Sequence, residues 1–109
     1  MNVVVKHHDL VVPATFGSDI PAGTLVFLGD MPAVTLEPVK AGVQCGVAVG
    51  AVIEGSRETG APWGLGTVVY WDNANQRFTT TATGNKRVGV VVGGDIPAAA
   101  TRVLVLMDR

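Results

Sequence analysis

Cysteine occurs once in the 109 residues, at Cys45. A single thiol excludes an internal disulfide. Histidine occurs only as the neighbours His7 and His8. In a strand they point to opposite faces, so they cannot act as one pair. That excludes a Ser/Cys–His–carboxylate triad and a His/Cys metal cluster. No G-x-x-x-x-G-K-[ST] stretch is present, so there is no phosphate loop. No apolar run approaches the length that crosses a bilayer. Charge is scarce: charged residues make up 16%, where an average domain has about 25%.

The charges that exist nearly cancel, eight Lys and Arg against nine Asp and Glu. A nucleic-acid binder needs a dense basic face to neutralise phosphates, so this balance argues against one. The six aromatic residues, Phe16, Phe27, Trp63, Tyr70, Trp71 and Phe78, are not interleaved with cations as a single-strand binding platform requires. The leading MNVVVKHHD lacks the long apolar core of a signal peptide. The chain is expected to be soluble, made in a cytoplasm, with no nucleic-acid or membrane partner and no cofactor.

What is abundant is small and apolar. Hydrophobic residues reach 48%, with 14 glycines. One domain of this length folds to about 5,700 Å² of surface and buries about two-thirds of the extended chain's area, so no disulfide or metal is needed. With so few charges, either this is a small apolar β domain, or part of its surface is covered by other subunits.

The most informative stretch is Thr67 to Gly93. Val68 to Trp71 is a β-branched and aromatic run, and Asp72 to Asn75 make a turn. Phe78 to Thr83 reads as a threonine-rich strand, Gly84 and Asn85 turn the chain, and Val88 to Val92 closes a meander. Asp72, Asn73 and Asn75 lack the glycine and glutamate of a calcium loop, and Asx residues are what a turn needs. Gly84-Asn85-Lys86-Arg87 reads as a solvated basic turn, or as contact with an acidic partner.

Elsewhere, Asn2 to Lys6 and Leu10 to Val12 are short β-prone runs. The first either docks on its own domain or adds to a neighbour's sheet edge. Ala14 to Gly23 is a loop. Thr24 to Leu28 is a strand, Gly29 to Pro32 a turn, and Ala33 to Leu36 pairs back. Val43 to Ile53 is a long strand. Glu54 to Gly66 is a loop carrying an exposed Trp63. Gly94 to Ala100 is a loop, and Arg102 to Met107 the last strand.

No segment keeps a helical period over ten residues. The expected fold is all-β: a small single-domain barrel or sandwich of short antiparallel strands, with an arm over residues 1–16 and the barrel over 17–109.

An internal repeat is visible. A shift of 43 residues lays Gly23–Leu28 over Gly66–Trp71 and Gly46–Gly50 over Gly89–Gly93. Either two Gly/Val-rich meanders look alike, or the barrel is pseudo-symmetric. Alternation puts Val88, Val90 and Val92 on one face, and Cys45, Val47 and Val49 on one face opposite Gly46 and Ala48. Cys45, laid over Val88, is expected to be a buried small apolar residue. Val68–Trp71 and Val103–Met107 are apolar on both faces, which calls for a second cover by a loop or, preferably, another chain. Val69, Trp71, Leu104 and Leu106 are therefore candidate subunit-interface residues.

Val69-Tyr70-Trp71-Asp72, then Phe78-Thr79-Thr80-Thr81-Ala82-Thr83-Gly84-Asn85, then Val88-Gly89-Val90 resemble the DUF2190 family of tailed-phage and prophage proteins. Pro21-Ala22-Gly23 and Gly46-Val47-Ala48-Val49 extend the resemblance upstream, so it covers about Asp19 to Met107. It implies a capsid decoration, or cement, protein: a homotrimer on the outer surface of the virion head whose partner is the major capsid protein. On that reading Asn2, Val3, Val4, Val5 and Lys6 are candidate capsid-binding residues, pairing with a capsid strand or loop. Deleting Met1 to Asp9 is then expected to abolish capsid binding but leave the trimer. Alternatives are another virion module, such as a head–tail adaptor or fibre base, and a glycan-binding barrel with Trp63 as stacking platform. An enzyme is the least favoured class.

Overall fold

A computed structural model describes residues 3–8 and 10–108. Among them there is no helix. The strands are β1 (Val3–His7), β2 (Leu10–Ala14), β3 (Leu25–Leu28), β4 (Met31–Thr35), β5 (Cys45–Val49), β6 (Val52–Ser56), β7 (Val68–Asp72), β8 (Arg77–Thr79), β9 (Lys86–Val92) and β10 (Arg102–Met107). They form a six-stranded sheet, β1-β6-β10-β9-β7-β8, and a four-stranded sheet, β2-β5-β4-β3. Every strand pairing is antiparallel.

The six-stranded sheet curls. Arg57, just past β6, makes a parallel bridge to Phe78 of β8, and Glu58 N donates to Phe78 O at 2.8 Å. The curl stops short of a closed barrel, and the four-stranded sheet covers it as the second layer of a sandwich. The exposed surface, 5598 Å², agrees with the size-scaling expectation.

The packing follows the period of two. On the six-stranded sheet, Ile53, Val69, Trp71, Val91 and Val105 point inward and are buried. The four-stranded sheet meets them with Leu25, Val34 and Ala48 in one cluster. Its opposite face carries a second cluster, Ala33, Val47 and Val49, flanked by half-buried Val12, Phe16, Val26, Leu28 and Met31. The alternation expected in β5 is thus realised: Cys45, Val47 and Val49 on one side, Ala48 on the other.

Four sequence expectations change. Val43–Ile53 is not one strand, because Gly50 takes a φ of 61° and turns the chain from β5 into β6. The threonine-rich strand ends at Thr79, and Thr80 to Thr83 are exposed loop residues. Val88, Val90 and Val92 do not share a face. The β7–β9 register shifts between Val69 and Tyr70, and this bulge leaves Val88 fully buried while Val90 and Val92 lie outward. Cys45 is only half-buried, with its thiol 3.4 Å from Ala14 O, because it opens β5 opposite Ala14, the last residue of the edge strand β2.

The pseudo-repeat is present in hydrogen bonds. Gly23 N donates to Thr35 O (2.7 Å) and Thr35 N to Thr24 O (3.0 Å). Gly66 N donates to Val91 O (2.8 Å) and Val91 N to Thr67 O (2.9 Å). The hydroxyls of Thr24 and Thr67 close the same turn onto Pro21 O (2.8 Å) and Gly64 O (2.7 Å). Both turns need a glycine, Gly23 at φ 72° and Gly66 at φ 86°. Isolated bridges Ile20↔Val39 and Trp63↔Ile96 brace them. Each bridge is also held by an aspartate, from opposite partners in the two halves: Asp19 beside Ile20 accepts from Ala41 N (2.9 Å), and Asp95 beside Ile96 accepts from Leu65 N (2.8 Å).

Strand order fixes the correspondence: β3, β4, β5 and β2 match β7, β9, β10 and β6. The overlay of Gly23–Leu28 on Gly66–Trp71 is therefore structural. The overlay of Gly46–Gly50 on Gly89–Gly93 is not, since β5 corresponds to β10 and β9 to β4. The extra strand β8, between β7 and β9, displaces the second half of the repeat.

Candidate interaction surfaces

The candidate capsid-binding residues lie in β1, except Asn2, which is outside the described residues. β1 is the last strand of the six-stranded sheet, paired on one side with β6. Val3 points inward and is 5% exposed, and its N–H donates to Gly23 O at 3.1 Å. Val5 also packs against the core. Val4 and Lys6 point outward and are exposed. The strand thus docks on its own domain and leaves its other backbone edge at the margin of the sheet. An edge row of N–H and C=O groups is a template for strand addition, and Lys6 is the kind of charge that limits it.

The four candidate subunit-interface residues separate. Val69 is 0% and Trp71 3% exposed, both inside their own domain. Trp71 packs edge-on against Phe78, with ring centres 5.0 Å apart. They cannot meet another chain, because the inner face of β7 is already covered by the four-stranded sheet. Leu104 and Leu106 do lie on the outer face, Leu106 42% exposed.

The register makes that face continuous. Val68 pairs with Val90, Val90 with Leu106, and Leu106 with Val52. Beside this row run Val92, Leu104, Glu54 and Val4. Ion pairs close its margins: Arg102 to Glu54 at 3.4 Å and Arg87 to Asp108 at 2.6 Å. Asp108 holds the Arg87 guanidinium above its ordinary pKa. Sequence reading found two of these outer residues, Leu104 and Leu106. It missed Val52, Val68 and Val90, because which face of a doubly apolar strand looks inward is set by the other sheet.

Trp63 is not an exposed platform. It is 5% exposed. The Arg57 guanidinium lies 4.2 Å from its ring centre, and the backbone bridges to Ile96. Arg57 itself is buried, at 4% exposure. Its donors reach Glu58 O (2.7 Å), Pro97 O (3.2 Å) and Ala61 O. Burial lowers its pKa, partly offset by Glu58. A tryptophan sandwiched this way has no free face for a sugar, which removes the glycan reading built on it.

One cleft of about 310 Å³ opens between the sheets. Leu25, Phe27 and Trp71 wall it, and Asn85 and Lys86 stand at its rim. Trp71 Nε1 is buried without an acceptor. Lys86 Nζ bridges the rim to Gly29 O at 2.9 Å. Among the described residues, no group of three or more His, Cys, Asp and Glu is placed to hold a metal.

Set against known families, residues 4–107 match the phage cement proteins. The chain belongs to the phage cement protein family. The match spans both sheets and ends one residue short of Asp108. No curated protein and no solved structure gives a match. Membership makes this a phage capsid-associated structural protein of all-β fold.

Proposed function

We propose that the chain decorates the outer surface of a phage head as a homotrimer, binds the major capsid protein there, and stabilises the shell. The observation that carries this reading is the family match over nearly the whole chain. The mechanism needs no reacting group. Each trimer ties neighbouring capsid subunits together, and modest contacts add because they are linked on one rigid body.

β1 supplies the adhesive edge. Beyond Val3, whose N–H is taken by Gly23 O, the strand's backbone side away from β6 pairs with an extended capsid segment, and the outward Val4 and Lys6 set which segment fits. Because Val3 and Val5 are core residues, removing Met1 to Asp9 also destabilises the fold. That deletion is no longer a clean test. Val4→Asp is cleaner, since Val4 is 47% exposed.

Calorimetry of undecorated heads tests the stabilising role. Added chain is expected to raise the disruption temperature of the heads, and Val4→Asp to raise it less at equal concentration. An unchanged disruption temperature with saturating wild-type chain refutes the role.

A further inference from the structure

The cleft between the sheets has the makings of a ligand site. Leu25 and Phe27 of β3 and Trp71 of β7 give it apolar walls, and its volume is about 310 Å³. That is the small end of ligand pockets, which run from roughly 300 to 1,000 Å³. It suits a ring and a short chain, not a run of peptide. Trp71 and Lys86 are paired directly across β7 and β9. Their side chains therefore leave the sheet on the same face, and both line the cleft.

Two polar groups at this cleft are poorly used by the fold. Trp71 Nε1 is buried and meets no acceptor. A buried donor without a partner is costly, and a ligand lodged against this wall can supply the acceptor. Lys86 is the only charged residue among the described residues that line the cleft. Its Nζ stands 5.4 Å from the Phe27 ring centre, donates to Gly29 O at 2.9 Å and lies 3.7 Å from Asp30 Oδ1. The Asp30 side chain is fully exposed. An ion pair of that kind is weak, so an incoming carboxylate can take its place. Asp72, the neighbour of Trp71 in β7, is taken up by Asn75 and Arg77 and does not line the cleft.

We propose that this cleft binds a small carboxylic acid with a flat apolar body. The ring lies against Phe27 and Trp71. The carboxylate accepts from Lys86 Nζ, and the Trp71 indole N–H is the second donor. A neutral ligand leaves the Lys86 charge unanswered, and a cation is repelled by it. The site goes beyond head decoration and does not depend on it.

Titration of nitrogen-15-labelled chain with 3-phenylpropionate, and separately with its neutral amide, tests the site through the two tryptophan indole signals. The Trp71 signal is expected to shift and saturate. The Trp63 signal, held under Arg57, is expected to stay. The acid is expected to bind about two- to fivefold tighter than the amide, as a partly exposed charge pair allows. That preference is expected to shrink as salt is raised. Lys86→Gln is expected to abolish the preference and keep the amide's affinity. Lys40→Gln, an exposed charge outside the cleft, is expected to keep the preference. Thermal melts confirm that each variant folds. Acetyl-Gly-Gly-Phe, which carries a ring and a carboxylate on a longer chain, is expected to bind more weakly than the free acid. An unmoved Trp71 signal, equal affinities for acid and amide, a preference that survives Lys86→Gln, or tighter binding of the peptide overturns the proposal. None of these readouts uses heads, so the site and the cement role stand or fall separately.

Discussion

Arg57 is stacked on Trp63 with its charge centre 4.2 Å from the ring centre, and the same guanidinium ties Glu58, Ala61 and Pro97 through their carbonyls. One buried side chain thus fastens the loop after β6 to the loop before β10. Arg57→Met leaves those carbonyls without their charged donor. A loss of about 2–4 kcal/mol is expected, from several charge-assisted bonds at once. In a urea titration, Arg57→Lys is expected to recover little, since an ammonium lacks the planar fork. Burial lowers the pKa of Arg57, with Glu58 opposing the shift. Recovery to wild-type stability in Arg57→Lys contradicts the account.

Gly89 has no room for a side chain. A Cβ built there collides with the backbone carbonyl of Leu106 on β10, which cannot swing away as a side chain can. Gly89→Ala is expected to cost on the order of 3 kcal/mol or more. Gly46→Ala meets only Val11 Cγ1 at 2.9 Å, on an edge strand, and is expected to cost under about 1 kcal/mol. Gly17→Ala meets nothing within 4 Å and serves as the control. Equal melting temperatures for the Gly89 and Gly17 variants refute the close approach of β9 and β10.

These sites mark where sequence reading stops. Val68–Trp71 and Arg102–Met107 were legible as strands, because β-branched and aromatic side chains crowd a helix and fill a pleated face. The Asp72–Asn75 turn was legible because its side chains bond their own backbone. The need for glycine at position 89 was not, since the crowding comes from Leu106 on another strand. The break at Gly50 was hidden inside an unbroken apolar run. Trp63 looked exposed because its neighbours are glycine, alanine and proline, and its cover, Arg57 and Ile96, is brought in by the fold. Of the candidate sites, β1 and the β10 leucines were found where a surface exists. Val69 and Trp71 were not, because a strand apolar on both faces does not declare which face is inside.

Asp72 closes the turn between β7 and β8. It accepts from Asn75 Nδ2 (2.8 Å) and Asn75 N (3.3 Å). The Asn75 side chain is the main reason its carboxyl lies below the ordinary aspartate range, with Arg77 contributing. A depressed folded-state pKa stabilises above the unfolded value, about 3.9, and this contribution is lost as pH falls through the folded value. The melting-temperature gap between wild type and Asp72→Ala is expected to be present near neutrality and to close as acidification carries the carboxyl through its lowered folded-state value. A gap that widens in acid contradicts the assignment.

Phe78 is fully buried, packs edge-on against Trp71, and belongs to the strand that curls back to Arg57. Phe78→Ala is expected to destabilise by about 3–5 kcal/mol. Hydrogen exchange should then show Glu58 N unprotected, since its bond to Phe78 O depends on β8 staying in place. Retained protection at Glu58 in this variant means that the curl is held by something else.

Co-sedimentation with purified, undecorated heads of the phage that encodes the chain tests the central claim most directly. The account predicts that the chain pellets with the heads, saturates at a fixed ratio to the major capsid protein, and stays in the supernatant when heads already carry their decoration. A chain that remains in solution at every ratio, with its own fold confirmed intact, contradicts it.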